Sequence, residues 1–188
     1  MSETKVYEEL FALAATGSMV TIQRTCGERK HGFVAAVSHE LVLLRQFNDF
    51  HPDGLCIVRV ADIEEIRSNT EERLWEKMLA AEGVLDKLEP APELPIDSMR
   101  ELIVALHERG ENVTLECEFP ADATEEDEFF IGRIETVEPN CVLFRHFDAE
   151  GDWDDDACEI EFDELTTVQI DTPYCRTYSR HLDPKDPG

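Results

Sequence analysis

Gly32-Phe33-Val34-Ala35-Ala36-Val37-Ser38-His39-Glu40-Leu41-Val42-Leu43-Leu44-Arg45-Gln46-Phe47 and Gly132-Arg133-Ile134-Glu135-Thr136-Val137-Glu138-Pro139-Asn140-Cys141-Val142-Leu143-Phe144-Arg145-His146-Phe147 are two versions of one segment, 100 residues apart. Each opens on a glycine, crosses a polar turn, and closes on an apolar run ending Arg-x-Phe. Upstream, Tyr7 to Leu13, Gly17 and Val20-Thr21-Ile22 recur as Met99 to Leu106, Gly110 and Val113-Thr114-Leu115, at an offset of 93. Downstream, Cys56, Ile63, Ile66 and Thr70 recur as Cys158, Leu165, Val168 and Thr172, at an offset of 102. The order holds throughout and the offset grows only at polar segments. Repetition of this kind means repeated structural units, so the chain holds two copies of one domain. They are expected at residues 1–87 and 96–188, joined by a stiff, proline-rich linker over 88–95.

Periodicity sets the elements of one copy. Leu10, Leu13 and Ala14 stand at helical spacing, with Gly17 as the stop. In the second copy Ser98 and Glu101 form a capping box and Gly110 ends the helix. Five short apolar runs follow each helix, over 20–25, 32–37, 41–47, 55–60 and 63–67, then over 113–119, 129–137, 141–147, 157–162 and 165–170. Short strands at such spacing predict a small barrel or sandwich. A closing helix is expected from Thr70 and from Thr172-Pro173, with Thr as N-cap; Leu74, Met78 and Leu79 form the apolar stripe of the first. The fold class is therefore mainly β with α.

The pattern resembles the Sm-like fold, a bent five-stranded barrel of the SH3-like type preceded by a helix. Gly32, Val34, Val37, Leu41 and Leu43, and Gly132, Ile134, Val137, Cys141 and Leu143, follow its first motif. Val58-Arg59-Val60-Ala61-Asp62-Ile63 and Ile160-Glu161-Phe162-Asp163-Glu164-Leu165 stand where its second motif has Ile-Arg-Gly-x-x-Ile. The resemblance covers roughly 60 residues per copy and implies two tandem helix-plus-five-stranded barrels, each followed by a helix. It also implies pairing through strand edges, so the two copies are expected to pack on each other. The family's RNA-contacting positions are mostly replaced: Ser38 and Glu138 stand for its Asp, Val42 and Val142 for its Asn, and only Arg59 survives of its Arg-Gly pair. The resemblance thus implies architecture rather than RNA binding.

Acidic residues number 43 against 17 basic, a formal charge of −26. A sequence-independent nucleic-acid binder neutralises phosphates with Lys and Arg, and this balance works against that class. The apolar fraction, 42%, suffices for a core. The opening residues have neither the positive region nor the apolar stretch of a secretory signal, and no run approaches a membrane span. A cytoplasmic protein with its six cysteines reduced is expected. The charge is uneven: residues 1–93 carry a net −7 and residues 94–188 a net −19.

The excess lies in two insertions of the second copy, Ala121 to Glu128 and Asp148 to Asp156. In an up-and-down path the loops holding them leave the same end of the barrel. Three readings are open for them: a solvated rim that aids solubility; a docking surface for a basic protein; or a Ca²⁺ site on Asp148, Glu150, Asp152 and Asp154, whose spacing departs from an EF-hand loop. On the docking reading the contact residues are Glu125, Glu126, Asp127, Glu128, Asp152, Trp153, Asp154, Asp155 and Asp156. Trp153 either contacts the partner or folds back on the barrel mouth. Arg45 and Arg145, the charged pair kept at equivalent positions, are either structural bridges or, with Arg59, a shared ligand face.

Catalytic motifs are missing. Cys56 and Cys158 are equivalent and Cys141 replaces Leu41, which marks these three as core thiols. The six histidines form neither His-Glu-x-x-His nor a zinc-spaced array. There is no phosphate-binding loop, Gly-x-Gly-x-x-Gly or Gly-x-Ser-x-Gly. The expectation is a non-enzymatic interaction or regulatory protein with no cofactor and no metal. Its acidic second barrel would dock a basic protein, as an inhibitor or immunity protein does. The alternative is a degenerate Sm-like RNA-binding protein acting through Arg45, Arg59 and Arg145.

Overall fold

Val6 and Leu10 recur one helical turn apart, and residues Glu3–Thr16 form helix α1 with both side chains buried. Gly17 ends it in the left-handed conformation, its N–H returning to the Ala14 and Leu13 carbonyls. The computed structural model describes residues 2–120 and 122–182. Five strands follow α1: β1 Met19–Arg24, β2 Arg29–Val37, β3 Leu41–Asn48, β4 His51–Arg59 and β5 Ile63–Arg67. Helix α2, Thr70–Ala81, closes the first repeat. The second repeat runs α3 Met99–Arg109, β6 Val113–Cys117, β7 Glu128–Val137, β8 Cys141–His146, β9 Cys158–Glu161, β10 Thr167–Ile170 and α4 Pro173–His181. Residues 88–95 form neither helix nor strand, and Ala91 and Leu94 pack against the second core.

All ten strands are antiparallel members of one open sheet, in the order β5-β1-β2-β3-β4-β10-β6-β7-β8-β9. Each repeat has the same internal order, its last strand lying beside its first. Register repeats as well. Val20 faces Gly32 and Val113 faces Gly132. Both second strands bulge at the same place, between Val34 and Ala36 and between Ile134 and Thr136. The shared glycine has a steric cause: a Cβ at Gly32 would lie 2.0 Å from the Arg45 carbonyl oxygen, and one at Gly132 2.0 Å from that of Arg145. No side chain fits there.

The repeats join where β4 pairs with β10, Thr167 opposite Val58 through Ile170 opposite Leu55. The alternating side chains of β3 and β4 therefore serve two cores. Val42, Leu44, Cys56 and Val58 pack with α1, β1 and β5. Leu41, Leu43, Leu55 and Ile57 pack with α3 and β10 of the second repeat.

Three local expectations change. The N-cap of α2 is Asn69 rather than Thr70. It forms a complete capping box with Glu72, because the Asn69 side chain offers the oxygen that reaches the first-turn N–H groups. Leu74 lies 54% exposed, and Trp75 and Leu79 carry the apolar contact of α2 instead. At α3, Ser98 accepts the Glu101 N–H and donates its hydroxyl to the Glu101 carboxylate, so only one arm of the expected box reaches backbone. Thr172 caps α4 through the Cys175 N–H, with Pro173 in the first turn. Among the described residues no helix is long and apolar enough to cross a membrane.

Candidate functional site

Strand β7 fixes where the two acidic insertions lie. Its first residue, Glu128, pairs with Cys117 at the end of β6, and Gly132 pairs with His146 at the end of β8. The β6–β7 and β8–β9 connections therefore leave the same end of the second repeat. The first insertion begins at Ala121, which lies outside the described residues. Glu125, Glu126, Asp127 and Glu128 are exposed, as are Asp152, Asp154, Asp155 and Asp156. Among the described residues, none of these eight carboxylates enters an ion pair.

The loops are shaped from within. Asp127 accepts the Phe119 N–H at 2.9 Å, tying the first loop back to the end of β6. Asp148 accepts the Glu150 and Asp152 N–H groups, folding the second into a tight turn. Arg145 pairs with Glu135 and donates to the carbonyls of Asp154 and Asp155. One guanidinium thus holds the backbone of the loop while its carboxylates face solvent. Trp153 bridges to Phe147 and meets its ring edge-on at 5.2 Å, in a cluster with Ile131, Cys175, Tyr178 and Leu182. It is half-buried and anchors the loop from below.

The three arginines each bond a different part of the chain. Arg45 donates to the Glu89 carbonyl, tethering the connecting segment. Arg59 donates to the Leu165 and Phe162 carbonyls of the second repeat and pairs with Glu40 at 3.3 Å. Arg145 serves the acidic loop. Carboxylates of Asp148, Glu150 and Asp152 lie within 4.8 Å of one another, all exposed, and Asp154 is not a member of that group. Cys56 is fully buried, and Cys141 and Cys158 are half-buried. Burial pushes the Cys56 thiol up to about 12, which suits a core group and not a nucleophile.

The joint holds charges that the sequence did not single out. Arg24, 1% exposed, bonds Glu118 just beyond β6, and Asp62 lies 3.9 Å from the same guanidinium. Thr166 and Thr167 donate to Glu118 at 2.8 and 2.6 Å. Burial works against the Glu118 carboxylate, yet Arg24 and the two hydroxyls outweigh it and hold its pKa down to about 2. Nearby, Lys30 bonds Glu28 at 2.7 Å, and Gln169 bonds Glu116. Burial raises the pKa of Glu116 despite Lys30. The sequence signal was Thr114, Glu116 and Glu118 alternating with Val113, Leu115 and Cys117, a pattern that reads as a solvent face.

A second polar cluster sits under α2. Glu72, 3% exposed, accepts from the Thr21 hydroxyl at 2.7 Å, the Arg67 Nε at 2.6 Å and the Asn69 N–H at 2.9 Å. His31 contacts the Thr21 hydroxyl at 3.0 Å and stacks on Trp75. With Met19 and Glu71 these groups line a cavity of about 10 Å³, room for one water at most. Comparison with family models, with curated proteins and with solved structures finds no match to this chain.

Proposed function

We propose that this protein is a non-enzymatic docking module whose acidic second repeat engages a basic protein partner, in the manner of an inhibitor or immunity protein. The observation that carries the reading is the common origin of the two acidic loops at one end of β7, where Arg145 and Trp153 fix the loop backbone and the carboxylates remain unpaired with cations. A preformed acidic surface speeds encounter with a basic partner and lowers the ordering cost of docking. We also infer that each repeat is an Sm-like small barrel, on the repeated strand order, bulge and glycine contact. The six free cysteines suit a reducing, cytoplasmic setting. The RNA-binding alternative is weakened because Arg45, Arg59 and Arg145 are each engaged within the chain.

The test is capture from the native host lysate by wild type and by a variant carrying Glu125→Gln, Glu126→Gln, Glu128→Gln, Asp152→Asn, Asp154→Asn, Asp155→Asn and Asp156→Asn. Asp127 is kept because it holds the Phe119 N–H. The expected result is a basic protein retained by wild type alone, with an association rate that falls steeply as salt rises. Equal retention by both proteins, or retention of RNA instead, overturns the docking reading.

A further inference from the structure

We propose that the free edge of β9 is a strand-docking site that takes an extended segment of a basic partner, placing a Lys or Arg opposite Glu159. This rests on the docking reading above but uses a different surface, and its model is the joint inside the molecule. Strand β4 is the counterpart of β9: Leu41 pairs with Arg59 and Leu43 with Ile57, while Cys141 pairs with Glu161 and Leu143 with Glu159. In the first repeat the outer edge of this strand is occupied by β10. In the second, among the described residues, β9 ends the sheet with β8 as its one neighbour.

Substitutions at the vacant edge specify the occupant. The covered face of the first repeat carries Leu41, Leu43, Leu55 and Ile57, all at most 5% exposed. The same face of the second carries Cys141, Leu143 and Ala157, half-buried, and Glu159, exposed. An apolar floor is kept and one carboxylate is added at its edge. Arg59, which donates to two carbonyls across the joint, is replaced by Glu161, which only accepts. Glu138, Glu159 and Glu161 also act together on Cys141. An incoming strand must therefore bring donors and positive charge along with alternate apolar residues.

A second copy of this chain fits poorly. Its own free edge, β5, reads Ile63-Glu64-Glu65-Ile66-Arg67 with both glutamates exposed, and Arg67 is already paired with Glu71 and Glu72. Acid would meet acid, a common way to protect sheet edges. The internal joint, by contrast, sets Thr167, Val168, Gln169 and Ile170 against Val58, Ile57, Cys56 and Leu55, with no charge among these eight paired residues.

The experiment uses the ¹⁵N-labelled full chain and three synthetic peptides copying residues 165–172: the native sequence, one with Val168→Lys and one with Val168→Glu. Val168 faces Ile57 in the internal joint, so its position falls opposite Glu159 at the free edge. The Lys peptide is expected to shift amides of 157–161 and to bind about tenfold more tightly than the Glu peptide at low salt. Glu159→Lys in the protein should invert that preference while leaving the remaining spectrum unchanged. Shifts confined to 122–128 and 148–156, no shifts at millimolar peptide, or a preference indifferent to Glu159→Lys would overturn the proposal. So would β5–β9 self-association seen by sedimentation, since a second copy would then fill the edge. Peptide failure with intact loop-dependent capture removes this inference alone. Peptide binding with loop-independent capture removes the loop reading alone.

Discussion

Arg24 at the end of β1 and Glu118 just past β6 form an ion pair across the two repeats, with side chains 1% and 5% exposed. Removing one member leaves the other charged and buried. Arg24→Met or Glu118→Leu alone should therefore lower unfolding free energy by about 3–5 kcal/mol. The double variant should recover part of that loss, because Glu118 and Arg24 are then both gone and only Asp62, 24% exposed, loses its neighbouring cation. Urea unfolding of the four proteins measures the coupling; a double-variant loss equal to the sum of the two single losses would show that the pair does not act as a unit.

How far the sequence reached follows from the same region. The repeat, the approximate strand spans and the glycine stops of α1 and α3 follow from periodicity and glycine placement along the chain. The alternation of Thr114, Glu116 and Glu118 gave no sign that this face is covered, since a polar face meets either water or another polar surface. Thr114 is 3% exposed and Glu116 8%. Likewise Leu41 and Cys141 look interchangeable, but one lies beneath α3 and the other near a free edge. Tertiary covering is non-local and was out of reach. The acidic loops were visible as composition; a structural bridge at Arg145 and an inward fold of Trp153 were each one of two readings, and non-local packing chose between them.

Acid should destabilise both buried polar clusters, at the joint and under α2. The carboxyl groups of Glu118 and Glu72 are both held down to about 2, below their unfolded values. The unfolded chain therefore binds protons first as pH falls, and the stability they contribute is present above about pH 5 and lost progressively toward pH 2. Glu116, shifted upward by burial, opposes this partly, because its protonation in the folded state relieves a desolvated charge. Unfolding midpoints followed from pH 7 to pH 3 should decline, and Glu118→Gln should flatten the decline while lowering stability at pH 7. A pH slope unchanged by Glu118→Gln would remove that residue from the acid response.

Gly32→Ala and Gly132→Ala should be the most damaging small substitutions in the chain. Each adds a methyl 2.0 Å from a carbonyl oxygen of the paired strand, so the strands must separate. A loss of about 3 kcal/mol or more is expected for each, at or above the usual range for overpacking. Gly17→Ala, whose Cβ would meet nothing within 4 Å, should cost only about 1 kcal/mol through its left-handed φ of 61°. Thermal unfolding of the three variants ranks them, and a Gly32→Ala protein as stable as Gly17→Ala would contradict the close approach.

Arg145→Gln should loosen the acidic loop without unfolding the repeat. The Arg145–Glu135 pair is partly exposed, at 25% and 34%, so solvent screens it and its own contribution to stability is small. What the guanidinium alone supplies is the pair of bonds to the Asp154 and Asp155 carbonyls, and glutamine is too short and has too few donors to restore both. Hydrogen exchange over 152–157 should accelerate by about tenfold, while protection in β7 and β8 holds, because local opening is set by local contacts. If the loop docks a basic partner as a preformed surface, the variant should also release that partner faster at unchanged net loop charge. Faster exchange with an unchanged release rate would show that loop order is irrelevant to docking and that charge alone acts.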